Sequence, residues 1–459
     1  MIAKPPILNG NRPIGKRDII LIVAVSLVSV SSAITVSYLS FAYLFAVLLA
    51  LACVALVVLC PEWFLYLAAS LKVSLDAVKI ISFAAPEAGK RWALSLDGTL
   101  TALFLVMCAG IMLRKRNLRL LSLPGAKAYG LFIFLCLLSL FFSQDPIFGM
   151  RRLIRYSTYF IIYFLCVNLL DTQKKIRSMA AALFLSALIP LIFGFYQAAT
   201  SSGMITAGGF NRIFATLTYP NAYAFYLMIM LIFTSGVYLS SRSAASRLML
   251  LSYAVLLFIS LILTFTRGAW LGLIIAWFTL AAFVLRKSGL KNFPALLFLF
   301  GILFFLAIMF LPWIAQRSLY LTGTSMGSFG WRSTIWLAYF NQFLLHPLKG
   351  LGLGSSSVIA KKELGFIIAP HNDYLKILAE SGIFAFVAYI SFLFSVFKFS
   401  VKEFIRTSQE KSFIYAALAA AVLSVSFVFL GDNLLDYDTS FSYFWFFLGI
   451  VYGSHNVKQ

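Results

Sequence analysis

Long apolar runs, separated by short polar or basic segments, set the pattern of this 459-residue chain. Each run holds roughly 18–22 residues, the length that an α-helix needs to cross about 30 Å of hydrocarbon. The alternation of apolar and polar positions that marks a strand is absent. The pattern predicts an all-α, polytopic integral membrane protein with about 12–14 transmembrane helices. The predicted spans are 19–39, 41–60, 63–84, 98–113, 128–143, 153–170, 178–198, 221–239, 248–265, 269–285, 293–312, 374–397, 413–430 and 440–453.

Composition strengthens this prediction. Hydrophobic residues make up 62% of the chain, charged residues only 11%, and the mean hydropathy is +0.94. A water-soluble fold could not cover that much apolar surface. The five cysteines all lie in apolar runs, and none stands at metal-ligand spacing from another. We therefore expect neither a disulfide framework nor a zinc site.

The net charge of +22 falls mainly in loops on one side of the predicted membrane. If the basic N-terminus is cytoplasmic, the basic loops at 114–119, 174–177, 242–247, 286–291 and 398–411 are cytoplasmic too. This is the positive-inside pattern. Nucleic-acid binding would need those charges on one soluble face, so we expect no nucleic-acid partner, while contacts with membrane lipid are expected.

The span 63–84 carries Lys72, Asp76 and Lys79, so by hydropathy alone it could lie along the interface. The parity of the basic loops favours a crossing helix instead. The outer side then receives the segments 199–220, 266–268, 313–373 and 431–439. These segments contain arginines and lysines, which the positive-inside bias disfavours there, and such charges usually have a local role.

Two outer arginines lie beside predicted helix ends. Arg212 follows two glycines and precedes Pro220-Asn221, where Asn221 could cap the next helix. Arg212 could either reach lipid phosphate or grip a substrate phosphate with its planar fork. Arg267 lies in a very tight connection between two spans, where it could pin the hairpin or meet an anion.

The longest outer segment contains two further motifs. Arg332 lies in a short amphipathic pattern with Trp331 and Trp336, two residues suited to the interface. The glycine-rich stretch 346–355 lacks the Gly-Lys-Ser/Thr ending of a nucleotide-binding loop, so we interpret it as a flexible connector.

The last motif is His371-Asn372-Asp373-Tyr374, with Glu380 about two and a half turns later. Asn372 or Asp373 could cap the following helix, and Glu380 lies near the same face as Asp373. His371 could act in proton transfer or simply hydrogen-bond the loop. Three histidines in the whole chain are too few for an ordinary histidine-rich metal site.

In this order, these motifs resemble the O-antigen ligase and O-antigen polymerase superfamily, bacterial inner-membrane glycosyltransferases of the GT-C type. The resemblance rests on Arg212 with Asn221, Thr266 to Trp270, Arg332 with Trp336, His346 to Gly352, and His371 to Gly382. Relatives often have glycine where Ala215 stands. The resemblance implies catalysis at the periplasmic face, with an undecaprenyl-pyrophosphate-linked glycan as donor and lipid A-core or a growing glycan as acceptor. It also implies that neither a nucleotide, a metal ion nor another cofactor is needed.

The resemblance further implies residue roles. Arg212 and Arg332 would hold the pyrophosphate and neutralise it as it departs, and His371 would be the general base. Arg267, Asn221, Asn372, Asp373 and Glu380 would bind substrate. Fixed guanidinium groups suit a pyrophosphate leaving group, and a histidine can accept a proton near neutral pH.

Three domains are predicted: N-terminal transmembrane helices (1–198), a ligase-like catalytic core (199–400, with the periplasmic loop 313–373), and C-terminal transmembrane helices (401–459). Two alternatives stay open. A polymerase of O-antigen, capsule or exopolysaccharide repeat units uses the same donor chemistry. A transporter of lipid-linked oligosaccharide would need ionisable residues along a route through the spans, and the spans after residue 85 are almost free of charge.

Overall fold

A computed structural model describes residues 55–57, 59–77, 96–114, 123–205, 211–289, 330–356, 358–359, 361, 369–407 and 409–457. The predicted spans 19–39 and 293–312, and most of 41–60, lie outside the described residues. The helices are α1 (Pro61–Leu75), α2 (Leu96–Arg114), α3 (Ala126–Leu140), α4 (Pro146–Leu169), α5 (Gln173–Ser186), α6 (Leu188–Thr200), α7 (Pro220–Ser240), α8 (Ala244–Leu263), α9 (Arg267–Ser288), α10 (Gly330–Leu345), α11 (Asp373–Arg406), α12 (Gln409–Val428) and α13 (Asp438–Asn456). Two-residue strands, β1 (Met204–Ile205) and β2 (Asn211–Arg212), form an antiparallel pair, and a 3₁₀ helix covers Leu434–Asp436.

The all-α, polytopic prediction is confirmed. Among the described residues, six helical segments are long and apolar enough to cross a membrane. They are Gln173–Thr200, Pro220–Ser240, Ala244–Leu263, Arg267–Lys287, Asp373–Arg406 and Lys411–Val428. The full count of about 12–14 spans and the three-domain division stay predictions.

The core lies where α7, α12 and α13 meet their neighbours. Helix α12 packs against α7, α9 and α11, and α13 packs against α4 and α7. Trp445 of α13 is fully buried and stacks on Phe392 of α11, with 4.9 Å between the ring centroids. The last helix is therefore a central element of the bundle.

Charged residues of α1 and α4 point into the protein. Lys72 donates to Asp438 at 2.7 Å, and Asp76, which follows α1 directly, accepts from Thr439 at 2.7 Å, so both residues meet the start of α13. Helix α4 begins at Pro146, seven residues before the predicted start of its span, and so includes Arg152 and Arg155. The expectation that the spans after residue 85 are almost free of charge is therefore wrong for α4.

Helix α11 is broken at Gly382, which has φ 78° and ψ −179°. At the break, Ile383 donates its N–H to the Pro347 carbonyl at 2.9 Å. Just before the break, the carbonyls of Ala379 and Glu380 accept N–H groups of the glycine-rich stretch at 2.8 and 2.9 Å. The predicted span 374–397 is thus two helical pieces, because a second backbone segment satisfies the polar groups freed by the break.

The glycine-rich stretch 346–355 is packed, so its interpretation as a flexible connector is wrong. A Cβ on Gly350 would lie 2.4 Å from the backbone of Glu380, and one on Gly352 would lie 2.3 Å from Cα of Ser143. Both glycines also have positive φ. Their small size lets this stretch join α10 to the interior face of α11.

Candidate functional site

Several helix ends meet on the side of the bundle that the charge pattern predicts to face outward. These are the starts of α7, α9, α11 and α13 and the ends of α8 and α12. Residues 429–437, which join α12 to α13, lie among them and contact the start of α11. We call residues 429–437 the central turn.

Hydrogen bonds to Thr264, Asn221 and Thr266 hold Arg212 in place. Its Nε donates to the Thr264 carbonyl at 2.8 Å, and its Nη2 donates to Asn221 Oδ1 at 2.8 Å and to Thr266 Oγ1 at 2.9 Å. The β1–β2 pair carries the arginine to this position, since Arg212 pairs with Met204. The guanidinium group is thus held between the start of α7 and the α8–α9 connection.

Asn221 links Arg212 to the central turn. Its Oδ1 accepts from Arg212, and its Nδ2 donates to Asp432 Oδ2 at 2.7 Å. A guanidinium on one side and a carboxylate on the other fix the orientation of the amide. The sequence brought Arg212 and Asn221 together as a pair, and the structure places them in contact.

His371 faces the same aspartate. Its Nδ1 lies 3.5 Å from Asp432 Oδ1, at the outer limit of a hydrogen bond, and its side chain is 22% exposed. Its φ of 49° lies in the left-handed region, which non-glycine residues rarely adopt. A strained backbone therefore presents a half-buried imidazole to a buried carboxylate.

Asp432 is a candidate site residue that the sequence reasoning missed. Its side chain is 7% exposed, and Oδ1 also accepts from the Asn433 N–H at 2.8 Å and from the Tyr437 hydroxyl at 3.2 Å. The available signal was the position of Gly431-Asp432-Asn433 in a predicted outer segment between two apolar runs. A polar triplet of that kind is equally typical of an ordinary turn.

Helix α10 closes the site from another side. Arg332 Nη1 donates to the Gly431 carbonyl at 3.0 Å, directly beside Asp432. Trp336 donates its indole N–H to the Pro370 carbonyl at 2.8 Å, directly beside His371. Trp336, expected at the membrane interface, thus binds the histidine loop, and Arg332 lies at the central turn.

Arg267 is the first residue of α9 and its side chain is exposed. It follows Thr266, whose hydroxyl accepts from Arg212. The structure therefore places Arg267 at the same end of the bundle, one residue beyond a group that binds Arg212.

Asn372, Asp373 and Glu380 are buried and engaged within the protein. Asn372 caps α11 by accepting the Leu375 N–H at 3.0 Å. Asp373 forms an ion pair with Lys376, and Glu380 forms one with Arg152. Their predicted contact with substrate stays a prediction, and their present contacts are those of supporting residues.

Asp436 joins these pairs. It lies 3.0 Å from Lys376, 3.4 Å from Arg152 and 3.2 Å from Arg155. Burial alone would raise the pKa of Asp436, but the three cations outweigh burial and hold the pKa well below its ordinary value. Asp436 is therefore an anion at neutral pH.

In chemical terms, the site combines guanidinium groups with an imidazole that is oriented by a carboxylate. The guanidinium groups can bind and neutralise phosphate oxygens, and the imidazole can accept a proton from a hydroxyl. Within the described ranges, no three His, Cys, Asp or Glu side chains are grouped so that they could hold a metal ion. The prediction that the chemistry needs no metal stays a prediction.

Residues 252–390 match the family described as O-antigen ligase. The match shows that this part of the chain is similar to the O-antigen ligase family. It confirms the superfamily expected from the motifs. The matched segment includes Arg267, Arg332 and His371, whereas Arg212 precedes it and Asp432 follows it. A search of curated proteins found no match to the chain.

Proposed function

We propose that this protein is an O-antigen ligase-like glycosyltransferase of the bacterial inner membrane. It transfers a glycan from undecaprenyl pyrophosphate to lipid A-core or another cell-surface acceptor at the periplasmic face. The proposal rests on one observation. Arg332 and His371 contact the central turn directly, and Arg212 contacts it through Asn221, which binds Asp432. The two arginines and the histidine come from three separate parts of the chain.

The arginines are assigned to the leaving group. When the bond from the anomeric carbon to the pyrophosphate oxygen breaks, negative charge grows on that oxygen. Guanidinium groups already held in position stabilise this charge without reorganising. Arg212 is held by Thr264, Thr266 and Asn221, and Arg332 by Gly431, so both meet this requirement. Arg267, exposed at the same end, would contact the pyrophosphate or the first sugar.

His371 is assigned to the acceptor. An acceptor hydroxyl attacks the anomeric carbon, its proton passes to Nε2 of His371, and undecaprenyl pyrophosphate leaves with the electrons of the broken bond. Asp432 holds Nδ1–H and stabilises the imidazolium that forms. The 3.5 Å separation would shorten when the acceptor binds, as is common for catalytic hydrogen bonds.

Asn221 is assigned to positioning, since it binds an arginine on one side and the aspartate on the other. It couples the leaving-group half of the site to the proton-transfer half. Asn372, Asp373 and Glu380 would then act through the position of the His371 loop and of α11.

The test is glycan transfer by purified protein in nanodiscs containing EDTA. Undecaprenyl-pyrophosphate glycan is offered with and without lipid A-core. Product on lipid A-core supports the ligase, and a ladder of longer lipid-linked glycans without that product would indicate the polymerase. Movement of donor between leaflets with no new glycosidic bond would contradict transferase activity. Transfer that EDTA abolishes and a divalent ion restores would contradict the metal-independent mechanism.

A further inference from the structure

The start of α11 is attached to the central turn on both sides of Asp432. The Asp373 N–H donates to the Phe429 carbonyl at 2.9 Å, before the aspartate. The Asp373 carboxylate accepts the Leu435 N–H at 2.9 Å, after it. Because His371 lies only two residues before Asp373, these two bonds determine how closely His371 approaches Asp432.

Lys376 connects the same two elements by charge. Its side chain is fully buried, and its Nζ forms ion pairs with Asp373 on α11 and with Asp436 on the central turn, the latter at 3.0 Å. A buried ammonium between two carboxylates has strong attractions in two directions and no access to water. Lys376 therefore bridges the histidine-bearing helix and the aspartate-bearing turn.

The bridge belongs to a charge-balanced cluster of Lys376, Arg152 and Arg155 with Asp373, Asp436 and Glu380. Glu380 also accepts the Ser356 N–H at 2.8 Å, which anchors the segment that follows α10. The elements that carry His371 and Asp432, and the segment that follows α10, are thus tied to one network. The proposed reaction steps use no member of this network directly.

We propose that Lys376 is a positioning residue, which holds His371 against Asp432 by bridging Asp373 to Asp436. This inference rests on the proposed function for its effect on catalysis. Its effect on the geometry of His371 does not depend on which reaction the protein performs.

The first test replaces Lys376 by methionine, which keeps much of the length and removes the charge. Lys72→Met is the matched control, because Lys72 is also buried and pairs with a carboxylate, Asp438, at the start of α13. If the role of Lys376 were only structural, both variants would lose thermal stability and neither would change His371 selectively.

The readout is the rate at which diethyl pyrocarbonate modifies each histidine, followed by mass spectrometry of intact folded protein. The chain has three histidines, so His346 and His455 are internal references. We expect His371 to react severalfold faster in Lys376→Met and at the wild-type rate in Lys72→Met. An unchanged rate for His371 in Lys376→Met would overturn the inference.

A double variant, Asp373→Asn with Lys376→Met, tests the inference if the single variant Lys376→Met does not fold. It removes one cation and one anion together, and the asparagine oxygen can still accept the Leu435 N–H. Asp436 keeps Arg152 and Arg155. The inference predicts faster modification of His371 here as well, and a wild-type rate would contradict it.

The transfer assay supplies the second readout. A misplacement of about 1 Å can cost on the order of 10²-fold in rate, so we expect kcat of Lys376→Met to fall about 10–100-fold while KM for the donor changes little. Unchanged kcat with accelerated His371 modification would overturn the catalytic part of the inference alone. If wild-type protein transfers no glycan, the proposed function fails, and the histidine measurement still decides whether Lys376 holds the loop.

Discussion

Replacing Asp432 by asparagine removes one charge and keeps the shape of the side chain. In the native site, Oδ2 accepts from Asn221, while Oδ1 accepts from the Asn433 N–H and the Tyr437 hydroxyl and faces His371. Every neighbour is a donor or can act as one. An amide NH₂ would therefore face another donor in either orientation. The favoured orientation puts the NH₂ opposite Asn221, where the fewest bonds are lost.

Two effects set the magnitude of this change. In the favoured orientation the amide oxygen still faces His371, so the imidazolium keeps an acceptor but loses its anionic partner. Hydrogen bonds to charged groups are worth about 1.5–3 kcal/mol and neutral ones about 0.5–1.5 kcal/mol, so the loss is about 1–1.5 kcal/mol. In addition, Asn221 Nδ2 loses its acceptor on residue 432, so the amide is less firmly oriented toward Arg212. At about 1.4 kcal/mol for each factor of ten, the first effect alone lowers kcat about 5–12-fold.

The assay is steady-state glycan transfer, with Asp438→Asn as the matched control. Asp438 is a buried carboxylate six residues later that pairs with Lys72 rather than with His371. We expect Asp438→Asn to keep kcat and lose some thermal stability. If Asp432→Asn retains kcat within about twofold of wild type, the assignment of Asp432 as the partner of the catalytic imidazole is refuted, since loss of the negative charge should cost at least about fivefold.

Three further predictions concern the backbone and the leaving-group site. Arg212→Lys loses the planar fork that binds Thr264 and Asn221 together, so kcat/KM for the donor should fall about tenfold or more with the fold intact by thermal shift. Gly382→Ala should leave little folded protein by size-exclusion chromatography. The φ/ψ region of Gly382 costs other residues about 1–3 kcal/mol, and a Cβ there would lie 2.2 Å from the Leu348 carbonyl oxygen. The control Gly110→Ala should fold normally, because nothing lies within 4 Å of its added Cβ. Ala215→Gly should match or slightly exceed wild type in melting temperature, because Ala215 has φ 52°, and a clear loss of stability would contradict this reasoning.

The helices could be predicted from sequence because each depends on a local property, the apolar run. The predicted spans 221–239 and 248–265 agree with α7 and α8 to within a few residues. The break at Gly382 could not be predicted in this way, since it depends on carbonyls that are satisfied by a segment some 30 residues earlier in the chain. A hydropathy profile depends only on residue type, so it predicts neither the break nor the backbone hydrogen bonds that compensate for it.

The site was predictable where residue type alone carries the chemistry. Arginines in outer segments violate the expected composition and so attract notice. The structure brings Arg332 and His371 to one turn directly, and Arg212 through Asn221. Asp432 and Lys376 carry no such signal, because an acid in a turn and a lysine near a helix start are ordinary. Their importance comes from the partners that the fold gives them.

The most direct test of the account separates donor binding from transfer in His371→Gln. Binding of undecaprenyl-pyrophosphate glycan and transfer to lipid A-core are measured on the same nanodisc samples, with His455→Gln, near the far end of α13, as the control. The account predicts that His371→Gln binds donor within a few-fold of wild type and loses transfer by about 10²-fold or more, as expected for removal of a general base. Transfer at the wild-type rate in His371→Gln would contradict it.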